Sequence, residues 1–493
     1  MSSEGRQPIL RAKGVTPTER YLNKLCNKSF LSLWSYASVY RNEHWGNPGN
    51  KEGKELCDAL VVFDNDIIIF SDKDCKFGDS GDLLVDWARW YRKAIKKSAD
   101  QIFGAERCLK ARLHGLFLDS ACTIPFPIDL PDPSNARFHR IVVAHDGSRA
   151  CKQQLGGSGS LMIRSDISGD DHLANPFSVG RVDSRGYVHV FDDTTLDIVL
   201  QTLDTITDFI AYLRKKEAFL STRVVSAAGE EELLALYLKK LNRSDEHDFV
   251  VPDGYDWLDF TKGLWDSFVN NPQRKSQIEA NRISYMWDSL IETFAHHLLK
   301  GTQYCGTGGI SEQEIILRFM AREPRTRRRQ LSNELKQKLL STPAGLRGAR
   351  VLFATEASEP YYVFLLYPRD LNVDEKEYRE ARRGLLAAYC AVVRLRNPTA
   401  LDVIGIATES GDGPIRTEDA IYFDGRHWTS AEADHARQLQ DELGILKEVK
   451  YRAGTEHEYP TGARLIHRTE YSRNSSCICG SGKRFKRCCG RPK

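Results

Sequence analysis

Four cysteines crowd into the last stretch of the chain, in the run Cys477-Ile478-Cys479-Gly480-Ser481-Gly482-Lys483-Arg484-Phe485-Lys486-Arg487-Cys488-Cys489, with the spacing C-x-C-x8-C-C. Thiolates this close repel one another and oxidise unless a cation holds them. Zinc accepts an all-sulfur tetrahedron at about 2.3 Å and has no redox chemistry of its own. Gly480 and Gly482 permit the tight turn that brings the two cysteine pairs to one point. A segment this short cannot bury a core, so metal binding would supply its folding free energy. The spacing therefore predicts a structural Zn²⁺ held by Cys477, Cys479, Cys488 and Cys489, with no open coordination position.

The other eight cysteines stand singly, at 26, 57, 75, 108, 122, 151, 305 and 390, which is how a reducing cytoplasm uses cysteine. No run approaches the roughly 18 to 20 apolar residues of a membrane span, and Met1–Lys13 is polar, so a cytoplasmic chain without membrane contact is expected. At 493 residues it is too long for one core. Net charge is +3, but Arg464–Lys493 carries nine Lys/Arg against Glu470 alone, so its net +8 leaves about −5 for everything before it. The basic character lives in the tail.

The tail resembles the zinc-binding motif at the C-terminus of the SecA translocation ATPase (the SEC-C motif), in which the fourth ligand is often histidine; here Cys489 stands there. The chain has no P-loop or helicase pattern, so the resemblance implies nothing about translocation. It does imply a docking module. Lys483, Arg484, Lys486 and Arg487 would present positive charge to nucleic acid or an acidic protein partner, or would merely solvate a tiny domain.

In the N-terminal third, residues 16–43 read as helical, and GNPGNKEG (46–53) breaks the pattern. Two short β-rich runs, 60–63 and 67–70, flank Asp64-Asn65-Asp66 as a hairpin does. A helix from Asp82 to about Ile102 follows, with Trp87, Trp90 and Ile95 inward and Arg89, Arg92, Lys93, Lys96 and Lys97 outward. Asp58 precedes the first run and Lys73 ends the second.

Helix order, hairpin and flanking glycines resemble the restriction-endonuclease-like core of the PD-(D/E)xK nuclease superfamily. The resemblance implies that Asp58 is the first Mg²⁺-binding acid and Lys73 the lysine that orients the attacking water. One position departs from the pattern: Ser71 stands two before the lysine, where the family has Asp or Glu. Asp72 would point to the opposite sheet face in a regular strand. Either a bulge turns Asp72 inward, or Glu55 or Glu43 supplies the second carboxylate, or the site is dead.

Farther on, the proline-rich segment 125–133 reads as a boundary, strands are expected at 140–144, 160–164 and 187–191, and helices at 195–220, 277–300 and from Ser311 to before Pro324. From Ala349 the order strand (351–354), strand (361–367), helix (374–395), strand (401–406) predicts a small α/β unit. Arg322–Arg329 reads either as a phosphate-contact loop displaying Arg327 and Arg328 or as a solvated turn. Gly156–Gly159 lacks the P-loop lysine, and adjacent His296 and His297 point about 100° apart on a helix, so neither signals a site.

The reading is α/β and α+β multidomain: a restriction-endonuclease-like domain at 1–130, a central α+β or helical region at 131–345, a small α/β unit at 346–465 and the zinc motif at 466–493. The expected function is a Mg²⁺-dependent nuclease, in a defence or restriction role that the resemblance alone implies. The alternative is a non-catalytic nucleic-acid or protein binder on a silent nuclease-like scaffold.

Overall fold

The computed structural model describes residues 8–43, 53–111, 115–252, 254–302, 310–354, 356, 359–411, 416–452, 456–460, 484 and 487. The chain divides into two compact units, Met1–Ile278 with Ile291–Ser311, and Glu279–Leu290 with Glu312–Lys493. Both are mixed α/β. Among the described residues no helix is long and apolar enough to cross a membrane.

The first unit opens with α1 (Pro17–Phe30), whose start is fixed by a capping box between Thr16 and Glu19. The helical reading of residues 16–43 is corrected here. The chain leaves the helix at Leu31, where φ is +66°, and continues as strand β1 (Ser35–Asn42). Its SYASVY run alternates and is rich in residues that fit a pleated surface, so it pairs instead of coiling. β1 pairs antiparallel with β2 (Gly53–Phe63), and β2 with β3 (Asp66–Lys73) across the expected turn, where Asp64 sits at φ +53°.

A long helical run follows as α2 (Leu83–Trp90), a π-helical turn (Tyr91–Lys96) and α3 (Lys97–Ala111). It buries Trp87, Trp90, Ile95, Ala99 and Ile102 against Leu60, Val62, Ile67 and Ile69. α1 covers the other face, where the Phe30 and Phe70 rings lie 6.2 Å apart.

β4 (Leu116–Phe117) and β5 (Arg137–Ala144) come next, then α4 (Ser148–Leu155), β6 (Met162–Ser168), α5 (Asp171–Ala174), β7 (Ser178–Arg181) and β8 (His189–Asp192). The six-stranded sheet has the order β4-β1-β2-β3-β5-β8, with β3, β5 and β8 parallel. β3 lies before the proline-rich segment and β5 after it, so those prolines join two strands of one sheet and do not separate two domains. The expected helix 195–220 is two, α6 (Thr195–Thr202) and α7 (Ile206–Thr222), because Thr205 caps a new start by accepting from the Asp208 amide. β9 (Val224–Ala227), α8 (Glu230–Lys239) and β10 (Trp257–Phe260) complete a second sheet of order β10-β9-β6-β7.

The second unit contains the small α/β sheet expected from Ala349 onward: β11 (Gly348–Leu352), β12 (Tyr361–Tyr367), β13 (Asp402–Glu409) and β14 (Asp419–Asp424). β12 and β13 run parallel, linked by the helix Glu375–Arg396, and the outer pairs are antiparallel. The arginine run does not form a solvent loop. Arg325 opens the helix Arg325–Ser341, and Arg325, Arg327, Arg328 and Arg329 are all buried. Arg328 donates to Asp288 Oδ1 at 2.7 Å and to the Glu323 and Ala321 carbonyls at 2.8 and 2.7 Å, while Arg325 takes Asp288 Oδ2 at 2.7 Å. Arg327 donates to the Phe353 carbonyl at 3.0 Å. Arg327 and Arg328 are thus structural donors inside the unit and are not displayed to phosphate.

Removing one partner of a buried ion pair leaves an uncompensated charge and costs about 3–5 kcal/mol. Asp288→Ala should therefore destabilise by about that much in urea unfolding, with Asp288→Asn intermediate; a loss below about 1 kcal/mol would refute the ionic account of this cluster.

Candidate active site

β3 pairs with β5 over its whole length, Asp66–Lys73 against Arg137–Ala144, without a register shift. A regular strand alternates faces, so Ser71 and Lys73 follow Ile67 and Ile69 toward α3, and Asp72 follows Ile68 and Phe70 toward α1. Ser71 Oγ donates to Gln101 Oε1 of α3 at 3.4 Å. On the neighbouring strand Asp58 alternates with Leu60 and Val62, which also face α3. Asp58 and Lys73 therefore share one face, and Asp72 lies on the other.

No bulge turns Asp72 inward. Its amide donates to Asp58 Oδ2 at 2.6 Å, but its own carboxylate is buried and its Oδ2 meets His145 Nε2 at 2.9 Å. His145 follows β5, and its Nδ1 meets Asp193 Oδ1 at 2.6 Å, just past β8. Asp193 Oδ2 accepts from the Asp146 amide at 2.8 Å. Asp72 Oδ1 is buried without a hydrogen-bond partner among the described residues. The Asp72 side chain is thus a brace between strand ends, and its expected direct role at the catalytic face is corrected.

Two residues remain beside Asp58. Glu55 sits on the exposed rim of β2, its carboxyl held above the ordinary range by partial burial, while Ser38 and Lys73 pull it down. Lys73 is half-buried and its charge acts on both acids. Glu43 is exposed and tied to Arg41 at 3.0 Å and Lys54 at 3.3 Å, so it is committed elsewhere. Ser38 lies opposite Asp58 in the β1–β2 register, between the pairs Ala37↔Ala59 and Val39↔Cys57, and holds φ +49°. Such a backbone in a strand is strained, as is common where a site is shaped. Among the described residues no three His, Cys, Asp or Glu side chains converge to hold a metal.

Burial pushes the Asp58 carboxyl up to about 6, against the Asp72 amide and the Lys73 charge that pull it down. Burial works against a charged His145, but its bonds to Asp193 and Asp72 outweigh it and raise the imidazole to about 10. His145, Asp193, Gln101 and Ser38 were not singled out from sequence. The available signal for the first two was a polar residue directly after each buried strand run, VVA-His145 and VFD-Asp193.

The cysteines Cys477, Cys479, Cys488 and Cys489, with Lys483 and Lys486, lie outside the described residues. Arg484 and Arg487 are described and exposed, and the Arg487 amide donates to the Arg484 carbonyl at 2.8 Å.

Residues 473–491 match the family model of the SEC-C motif, which generally binds zinc. The chain is 31% identical over 85 residues to a UPF0225 protein of Geobacter sulfurreducens, a match covering 17% of this chain. It spans about half the length of that curated relative. No solved structure matches the chain.

Two pH effects follow, and in both the folded chain loses stability as pH rises. Asp58 is raised above its unfolded value, so the folded chain loses stability as pH rises from about 4 to 6, and Asp58→Asn should gain about 2 kcal/mol at pH 7. His145 is raised too, but its charged form is the paired one, so its contribution is full below about pH 6.5 and lost as pH climbs toward about 10. His145→Gln should destabilise by about 2–3 kcal/mol at neutral pH and by much less above pH 10. Urea unfolding across pH checks both; a neutral or destabilising Asp58→Asn at pH 7 would contradict the first.

Proposed function

We propose that the first unit is a metal-dependent nuclease that hydrolyses phosphodiester bonds of nucleic acid. The observation that carries the reading is the pairing of Asp58 with Lys73 on one face at the open end of β2 and β3. The surrounding order, helix, three antiparallel strands, helix and a parallel strand, supports it.

The residues fit Mg²⁺ as a two-carboxylate site. Asp58 and Glu55 are both held above the ordinary carboxylate range, which a cation would relieve, and Mg²⁺ commonly binds through one or two carboxylates with water and substrate phosphate completing its shell. When bound, the ion would polarise the phosphate and lower the pKa of water. Lys73 would hold that water, or the developing negative charge, in line for attack. The Asp72 amide fixes the Asp58 carboxylate, and the Asp72–His145–Asp193 chain fixes Asp72. Burial of Asp58 keeps it partly protonated at low pH, so cation binding would strengthen as pH rises through about 6.

The SEC-C match supports a structural Zn²⁺ on Cys477, Cys479, Cys488 and Cys489, with Lys483, Arg484, Lys486 and Arg487 forming a docking surface for nucleic acid or an acidic protein. A second reading, a binding protein on a silent scaffold, is favoured by Ser71 in the acidic position and by the outward turn of Asp72.

Cleavage of oligonucleotides with Mg²⁺ separates the two readings. Asp58→Asn and Lys73→Ala should each slow cleavage by about a hundredfold or more, and Asp72→Asn by clearly less. Cleavage that survives Lys73→Ala, or is absent from the parent chain, removes the hydrolytic reading. For the tail, metal analysis should find about one zinc per chain, lost in Cys488→Ser/Cys489→Ser; a zinc-free parent would exclude the site.

A further inference from the structure

We propose that the exposed face of the helical run Leu83–Ala111 is the surface along which the phosphate backbone of a nucleic acid reaches Asp58 and Lys73. The inference rests on the nuclease reading of that site and adds its substrate track.

Six of the seven cations of this run fall into two sets; the seventh, Arg107, is exposed near its far end. Lys96 is paired with Asp183 at 2.7 Å and Asp100 at 3.8 Å, and Lys110 with Glu106 at 2.6 Å. Arg89, Arg92, Lys93 and Lys97 are exposed, and among the described residues none of them has an ion-pair partner. A solvated helix usually interleaves acids with its bases on the same face. The stretch Arg89–Lys97 leaves four charges uncompensated.

The four are also aligned. In a plain α-helix, residues four apart drift by about 40° around the axis. The π-helical turn Tyr91–Lys96 closes its bonds one residue later and so takes back part of that drift. Arg89, Lys93, Lys97 and Gln101 thereby fall close to one line, stepping about 6 Å along the axis, with Arg92 beside them. Single π-turns inside α-helices recur at functional sites.

The line leads to the site. Gln101 at its end takes the hydrogen bond of Ser71, which shares the face of Asp58 and Lys73. Lys93 lies near enough to Cys75, two residues past Lys73, for its charge to act on that thiol. Evenly spaced cations ending at a group that would orient a phosphodiester match a polymer with one charge per unit.

The test uses the full chain carrying Lys73→Ala, in chelator, with a short fluorescent oligonucleotide as single strand and as duplex, titrated between about 50 and 200 mM salt. Each phosphate contact contributes roughly 0.7 to 0.9 to the slope of log affinity against log salt. The combined R89A/R92A/K93A/K97A change should lower that slope by about 3 and weaken binding at least about tenfold. K93Q/K97Q should show about half the slope change, and it carries the test if the fourfold variant unfolds. K24A/K28A, on exposed positions of α1, should leave the slope unchanged.

The inference falls if the fourfold variant binds like its parent, if K24A/K28A weakens binding equally, or if the parent prefers poly-glutamate to the oligonucleotide. Cleavage is read separately on the Lys73-intact chain. Salt-dependent binding lost with these four residues in a chain that never cleaves would leave the surface standing and remove only hydrolysis.

Discussion

The parallel pairing of β3 with β5 is the constraint on which the first unit's chemistry depends. It runs unbroken from Asp66 to Lys73, and both faces of β3 are covered, by α1 on one side and by α2 to α3 on the other. A buried, fully paired strand has no room for a bulge, since a slip of one residue would exchange its two apolar faces. Strict alternation then separates neighbours: Lys73 goes to the face of Asp58, and Asp72 goes to His145.

That separation gives Asp72 a different task. Its amide is bound to Asp58, its carboxylate to His145, and His145 to Asp193, so one polar chain ties the middle of β2 to the ends of β3, β5 and β8. Buried charges of this kind add little net stability, because desolvation offsets the attraction. They do fix geometry, since any other arrangement leaves a charge unpaired in a low dielectric. The Lys216–Glu230 pair of the first unit, both residues about 1% exposed, has the same character. So do Arg328 with Asp288 and Arg382 with Asp419 in the second unit.

Much of the local structure was legible in the sequence. The hairpin about Asp64-Asn65-Asp66, the amphipathic helix after it and the β12-helix-β13 order of the second unit all follow from patterns spanning a few residues. Three readings failed where the pattern was ambiguous. Residues 31–42 carry apolar spacing that suits either period, and sheet pairing decided for a strand. The prolines of 125–133 mark a connection, but a connection within one sheet looks the same in sequence as one between domains. Arg325–Arg329 has the composition of a solvated loop, and only the presence of Asp288, remote in sequence, allows it to be buried.

What the sequence alone determined is therefore local: element types, the alternation that puts Asp58 of β2 and Lys73 at the end of β3 on one face, and the cysteine spacing that identifies a SEC-C motif at 473–491. Each needs only nearest neighbours or a metal's fixed ligand geometry. What tertiary structure decided is where charges find partners: Asp72 with His145, Glu43 with Arg41 and Lys54, and the arginines with Asp288. Coulomb and desolvation energies depend on distance and burial in space. The chain order of the residues involved does not encode either quantity.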